Sequence, residues 1–492
     1  MSLRKKAFSG MIWTSLQQFG NQGIRFGVSI ILARLLLPEE FGLIGMIGIF
    51  MAIGTELIAS GLTSSLIRTD DPDYRDYSTV FFYNLGGSII LYALLFTMAP
   101  LIADFFKQPQ LVTITRLYST TFIISGFSAV QLAKIRKEMN FKLETASSLV
   151  STVCSAAVGV LMAFHGYGVM SLVWMSIVGA LISTIMLWFS SKWVPSFVFD
   201  KKKFAYHYQF GYRMAIAGVI NALFNNIYTL IIGKFFSPVQ LGYYTRADTL
   251  KQFPVSNISS VLNKVTFPIF AEIKNDNDRL KKVYKEMMQI VIYIIAPMLV
   301  FLGVIADPLF RFLFTDKWLP AAPYFQILCV NGILYPLHSY NLNILLVKGR
   351  SDLLLRLEMA KKVILCVVIF AAVPFGIYGL LWGQVIYSVL CFFINSFFSG
   401  KMIGYSAQKQ MYDISGTVLL SFFVGFLLFY FDVFIVKVIP SDFFRILSDL
   451  SFGFILFVLL SMVVRIEALY NIKKIYNQNF KNRVIKRKDI SN

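Results

Sequence analysis

Runs of about 20 apolar residues recur from one end of this chain to the other, and each is long enough to cross a bilayer as a helix. No gap between runs is long enough for a folded soluble domain. The expected fold is therefore an all-α polytopic membrane protein. Composition agrees: the chain is 57% hydrophobic, 16% aromatic and only 15% charged, with a mean hydropathy of +0.66.

The runs predict about 14 transmembrane helices, near 12–36, 41–66, 78–100, 111–132, 145–164, 167–189, 209–233, 247–271, 287–306, 322–346, 358–374, 377–398, 413–436 and 444–466. Loop charge tests that count. With these spans, thirty-three Lys and Arg fall on the side of the N-terminus and eight on the other. Excess cations mark the cytoplasmic side, so both termini are expected in the cytoplasm. Dropping one span would reverse every later loop and spoil the asymmetry. The same rule accounts for the net charge of +20 without nucleic acid. The start, MSLRKKAFSGMIW, has a basic flank but no small-residue cleavage site, and reads as a retained first helix. Cys154, Cys329, Cys366 and Cys391 lie in or beside apolar runs, form no CxxC pair and have no His at metal spacing. They read as small core residues, so no metal and no cofactor is expected.

The chain also repeats itself. The segment from Ile31 through Pro38 to Gly42 aligns with Ile231 through Pro238 to Gly242. Lys134, Arg136, Lys142 and Glu144 align with Lys348, Arg350, Arg356 and Glu358, and Gly168 and Trp174 align with Gly376 and Trp382. Each repeat holds six spans, an even number, so both copies enter from the same side. The expected organisation is two parallel six-helix lobes, 1–200 and 201–400, around a central cavity. Two additional helices (401–466) and a basic cytoplasmic tail (467–492) follow. Such a duplication predicts a transporter with substrate near the midplane and alternating access.

Polar groups inside the spans are the candidate site. In the stretch Trp13–Gly42, Gln17, Asn21 and Arg25 recur in steps of four on one helical face. A charge at that depth costs roughly 3 kcal/mol or more, so this face calls for a wet interior. The repeat partner, span seven, carries Gln209, Arg213, Asn221 and Asn225 in the same register, with Ala217 between. Arg25 and Arg213 each offer a permanent charge and a fork that suits phosphate oxygens. The alternative is an arginine that snorkels to an interface or holds a helix carbonyl. Lys264 sits among Asn257, Ser260 and Asn263, in a span that Pro254 and Pro268 are expected to kink. Arg116 and Arg34 read as structural. Glu56, followed by Ser60 and Ser64, is either an ion-coupling site or a static partner of Arg25 or Arg34. His338, near Asn331, Asn341 and Asn343, is either a second ion-coupling candidate or a polar part of the cavity wall. Gln384 and Asn395 are weaker candidates for sugar contacts.

There is no P-loop, no GxGxxG after a strand, no pair of acids in an exposed loop and no nucleophile motif. An ATP-driven pump and a membrane-surface enzyme are thereby disfavoured. The opening GMIWTSLQQFGNQGIRFGVSIILARLLLPEEFGLIGM resembles that of Wzx-type polysaccharide flippases, in the branch exporting colanic and teichuronic acid units. These belong to the multidrug/oligosaccharidyl-lipid/polysaccharide exporter superfamily. LARLLLPEEFG carries most of the resemblance, and KIRKEMNFK and GYGVMSLVW fit it. The resemblance implies a two-lobed transporter in the bacterial inner membrane that flips undecaprenyl-pyrophosphate-linked oligosaccharide. It also implies a cationic cavity, an ion gradient or membrane potential as driving force, contact with membrane lipids, and polysaccharide polymerase and glycosyltransferases as partners. Arg25 and Arg213 match that cavity by position in the repeat. A drug or metabolite antiporter of the same superfamily and a non-transporting scaffold of a glycan-synthesis complex are the alternatives.

Overall fold

The computed structural model describes residues 3–59 and 61–474; Ser60 and the tail from residue 475 onward lie outside the described residues. All regular structure among the described residues is helical. The chain forms two compact units, Met1–Thr245 and Arg246–Asn492.

In the first unit, α1 (Leu3–Leu35) lies along α7 (Phe141–Phe164), and α7 packs on α8 (Val169–Ser191). Helices α2 (Pro38–Ala59), α3 (Leu62–Arg68), α4 (Tyr74–Phe106), α5 (Leu111–Tyr118) and α6 (Thr120–Lys137) build the rest, joined by α9 (Lys201–Asn225) and α10 (Ile227–Phe235). Lipid tails give apolar helices no reason to leave lipid for one another, so close backbone approach matters more than in water. Small residues supply it here. The backbones of Gly61 and Gly211 meet where α3 crosses α9, and a side chain at Gly126 would overlap Ser88. Two helix starts are fixed by caps. Asp73 forms a capping box with Asp76 at the head of α4, and the Asp200 carboxylate accepts from Lys202 N and Lys203 N at the head of α9.

The aligned turns at Pro38–Gly42 and Pro238–Gly242 touch each other reciprocally. A methyl on Gly42 would overlap the Pro238 carbonyl, and one on Gly242 would overlap the Pro38 carbonyl. Contacts exchanged in this way between equivalent positions are what a local two-fold axis produces.

In the second unit, α11 (Pro238–Glu272) continues past the boundary as one unbroken helix, so Pro254 and Pro268 do not end it. Next come α12 (Asn277–Val304), α13 (Ala306–Phe314), α14 (Ala322–Ile333) and α15 (Tyr335–Val347). They are followed by α16 (Ser351–Ala372), α17 (Gly376–Ile403), α18 (Ala407–Ile435) and α19 (Asp442–Val463). Helix α12 is the axis on which α14, α15, α17, α18 and α19 pack. A buried hydrogen-bond network ties four of them. Tyr284 Oη donates to Asn341 Oδ1 at 2.9 Å, Asn341 Nδ2 donates to Ser396 Oγ at 3.0 Å, and Ser396 Oγ donates to Gln410 Oε1 at 3.1 Å. Arg445 clamps α19 to α18 through both oxygens of Asp432, at 2.5 and 2.6 Å.

Every one of the expected spans falls on helix. Among the described residues, eight helical stretches are long and apolar enough to cross a membrane, or nine if α9 and α10, bent by 48°, count as one broken span. One of the eight runs from Ser351 to Ile403, 53 residues. Straight, it would be about 80 Å long, yet α16 and α17 pack against each other across the 3-10 turn Val373–Phe375, so it is a hairpin of two crossings. The rest of the expected set is helical but polar or interrupted. Helix α1 carries its amide-and-arginine stripe, α11 holds Lys251 and Lys264, and α5/α6 and α14/α15 are each broken into two helices.

Candidate functional site

Helix α9 buries His207, Gly211 and Ala222 against its neighbours. Its other face is open: Gln209, Arg213, Ala217, Asn221 and Asn225 are all exposed. The steps of four in the sequence have thus become one unburied polar stripe along an apolar helix. Arg213 Nε donates to Tyr212 Oη at 3.1 Å. Beside it opens a cavity of about 530 Å³ lined by Ser65, Arg68, Tyr206, Gln209, Phe210 and Arg213. The Arg68 guanidinium stacks over the Phe210 ring, 4.8 Å from its centre. Neither arginine has a carboxylate partner among the described residues. Two guanidiniums without a carboxylate share one recess, an arrangement whose forks are of a kind that matches phosphate oxygens.

Beneath this cavity lies a buried relay. His207 Nδ1 is 2.8 Å from Ser65 Oγ, and His207 Nε2 is 3.1 Å from Asp76 Oδ1. Lys203 Nζ donates to Asp76 Oδ2 at 2.8 Å. Burial holds the His207 imidazole below its ordinary pKa, against the pull of Asp76. Neither Arg68 nor this relay was among the sequence candidates. Asp76 and His207 stand 131 positions apart, and only the packing of α3, α4 and α9 brings them together.

The α1 stripe behaves differently. Asn21 Nδ2 donates to Ser148 Oγ of α7 at 2.6 Å, while its Oδ1 is buried without a partner. Gln17 is half-buried. Arg25 is exposed at the edge of a second recess of about 610 Å³, lined by hydroxyls including Ser29, Tyr118, Ser148, Ser151 and Thr152. Asn21 therefore packs within the first unit, and Arg25 stands over a hydroxyl-lined pocket. No ion pair joins Arg25 to Glu56. The Glu56 carboxylate lies instead against Gly218 of α9. Arg116 holds the Phe96 carbonyl at 3.3 Å and stacks on the Phe96 ring, the structural role expected of it.

In the second unit, Lys264 is exposed on α11, and neighbouring Asn263 accepts from Asn343 Nδ2 at 3.0 Å. His338 Nε2 is 3.0 Å from Ser388 Oγ on α17, and its Nδ1 has no partner. Gln384 and Asn395 are buried in α17. Among the described residues no group of His, Cys, Asp and Glu is placed to hold a metal ion.

A sequence model of the family described as "Polysaccharide biosynthesis protein" matches residues 31–323, more than half of the chain. The chain belongs to this family. The match begins at the head of the segment that ends in Gly42, the one carrying the resemblance noted in the sequence. The chain is 27% identical over 431 residues to the teichuronic acid biosynthesis protein TuaB of Bacillus subtilis (strain 168), covering 87% of this chain and 89% of that one. It is 24% identical over 405 residues to the lipopolysaccharide biosynthesis protein WzxC of Escherichia coli (strain K12), covering 80% and 82%. Among solved structures it is similar to the lipid II flippase MurJ in an inward closed conformation, with a TM-score of 0.75 at 12% identity over 92% of this chain and 99% of that one. It is also similar to an inward-facing multidrug resistance MATE family transporter of the MOP superfamily, with a TM-score of 0.60 at 15% identity over 80% and 98%. At such identities the likeness is one of fold: an all-helical, multi-pass membrane transporter fold.

Proposed function

We propose that this member of the polysaccharide biosynthesis family is a flippase that carries undecaprenyl-pyrophosphate-linked oligosaccharide repeat units across the bacterial inner membrane. The observation that carries the reading is the open stripe of α9, with Arg213 beside Arg68 and no carboxylate on either. An uncompensated arginine on a membrane helix is costly unless it meets water or an anion. A lipid-linked diphosphate supplies the anion, the amides at 221 and 225 suit sugar hydroxyls, and the apolar remainder of α9 suits a polyprenyl chain. The names of TuaB and WzxC, and the flippase fold of MurJ, support the same cargo class.

In this reading both termini are cytoplasmic, fourteen spans form two parallel six-helix lobes plus two added helices, and transport proceeds by alternating access without covalent chemistry. The Arg25 recess is the second phosphate or sugar station. Gln17 belongs to the same stripe, Asn21 holds that stripe to α7, Lys264 is an exposed cation of the second unit, and Glu56 or His338 carries any coupling ion. Polysaccharide polymerase and glycosyltransferases are the protein partners.

The test is flipping of an undecaprenyl-diphospho-glycan in liposomes by the native chain, Arg213→Ala and Arg25→Ala. Native flipping that Arg213→Ala abolishes supports the function and its site. Flipping indifferent to both substitutions keeps the function and removes the site. No flipping with several glycans and an imposed ion gradient favours the antiporter reading, which the likeness to the MATE fold keeps in view.

A further inference from the structure

The cavity of Arg68 and Arg213 shares a wall with a buried proton acceptor. Asp76 is fully committed as an acceptor: its Oδ1 faces His207 Nε2, and its Oδ2 takes Lys203 Nζ and Asp73 N. A carboxylate accepts and does not donate, so His207 must present its N–H at Nε2. In the neutral ring Nδ1 is then an acceptor, and the single hydroxyl hydrogen of Ser65 must point at it across 2.8 Å. Ser65 lines the anion cavity, but while His207 is neutral it has no hydrogen to offer there.

We propose that His207 is a proton-binding site that controls anion binding in the Arg68/Arg213 cavity through the Ser65 hydroxyl. A proton taken up at Nδ1 turns that nitrogen into a donor. Ser65 Oγ then accepts from it, and the hydroxyl hydrogen is released to donate into the cavity. The cavity gains one donor and one nearby positive charge in a single step, with no bond made or broken beyond the hydrogen bonds. Linkage makes the effect reciprocal: an anion in the cavity raises the proton affinity of His207 by the same factor that the proton raises the anion's affinity.

The other charged and titratable groups around the ring are placed to permit this. Helix α3 contributes Arg68, and Lys137 of α6 donates to the Thr69 carbonyl just beyond it. Helix α4 contributes Asp76, with Asp73 at its cap, and α9 contributes Lys203 and the Tyr206 ring, edge-on to the imidazole. Glu56 of α2 lies near Gly218, about three turns further along α9. Among the described residues Asp76 alone of the acids touches the ring, and it is already neutralised by Lys203. Burial keeps the ring neutral in the empty site, so an arriving anion is what tips it.

The inference rests on the reading that this cavity meets a diphosphate. It is tested with a short-chain prenyl-diphospho-N-acetylglucosamine, whose diester charges do not change between pH 5.5 and 8. Affinity for the purified full chain is measured across that range, with proton uptake read from the buffer dependence of the binding heat. The expected result is about tenfold tighter binding at pH 5.5 than at pH 8, with net proton uptake. His207→Gln should flatten the profile at the weaker value, and Ser65→Ala, which leaves the histidine and the arginines in place, should shrink its amplitude by removing the donor. Arg68→Gln should lower affinity at every pH. A native profile that is flat, or one that survives Ser65→Ala unchanged, overturns the proposal. Loss of binding in Arg68→Gln alongside a flat native profile would overturn it while leaving the diphosphate reading intact.

Discussion

Asn21 of α1 gives its amide hydrogen to Ser148 of α7 at 2.6 Å, so the middle of the first polar stripe is spent on holding two helices together. On α9 the corresponding amides at 221 and 225 face outward. The two stripes look alike in the sequence and do different work. Asn21→Ala should cost stability, about 1 kcal/mol for one hydrogen bond, and lower the melting temperature by a few degrees with transport per folded molecule kept. Asn225→Ala should do the reverse. Paired melting and flipping measurements check this, and equal effects in the two variants would contradict the assignment.

The clamp between α18 and α19 is asymmetric in its reserves. Arg445 is nearly buried and holds both oxygens of Asp432, while Asp449, one turn further along α19, is buried with neither oxygen bonded. Arg445→Met leaves two acids without a cation and should destabilise by about 3 kcal/mol, the cost of orphaning a buried charge. Asp432→Leu should cost clearly less, because the guanidinium can turn to Asp449. Thermal melting in one detergent decides it, and the opposite order would refute the account.

Native stability should depend on His207. Burial holds its pKa down in the folded chain, so the unfolded chain binds the proton more readily. Stability is then fully present above about pH 6.5 and falls as the pH drops below it. Melting curves from pH 8 to 5 without ligand should show that decline, and His207→Gln should flatten it. A native curve level through this window would show that the ring does not bury as a neutral group.

Glu56 and His338 separate as ion-coupling candidates by their surroundings. The Glu56 carboxylate lies against the helix that carries the open stripe, whereas His338 is engaged with Ser388 inside the second unit. Glu56→Gln should remove any dependence of flipping on an imposed proton or sodium gradient, and His338→Gln should leave it. Gradient dependence that vanishes only in the histidine variant would exchange the roles.

Hydropathy made the helices legible because every span has to be apolar somewhere, and all the expected spans lie on helix. It could not say which were intact. The breaks after Tyr118 and Asn225 carry no proline or glycine at the joint, only a local change in backbone direction, whereas the break after Ile333 lies between Gly332 and Pro336. The step-of-four register of Gln209, Arg213, Asn221 and Asn225 was legible because one face of one helix is a local property. The direction in which the stripe of α1 faces was not, since it depends on what α7 offers opposite. Arg68 reads in sequence as an ordinary loop cation, and only the crossing of α3 over α9 at Gly61 and Gly211 brings it beside Arg213.

The reciprocal contact of Gly42 with Pro238 and of Gly242 with Pro38 has a consequence for how such a chain can change over time. In a symmetric pair of identical subunits, any substitution at the shared interface is made twice, and both copies must tolerate it. Here the two halves of the contact are encoded separately. The glycines and prolines that meet are the same in both turns, while Glu39 and Glu40 in one align with Val239 and Gln240 in the other. Encoding the two turns separately in one chain makes this symmetry optional, so each turn can carry its own side chains around a junction that neither can alter alone.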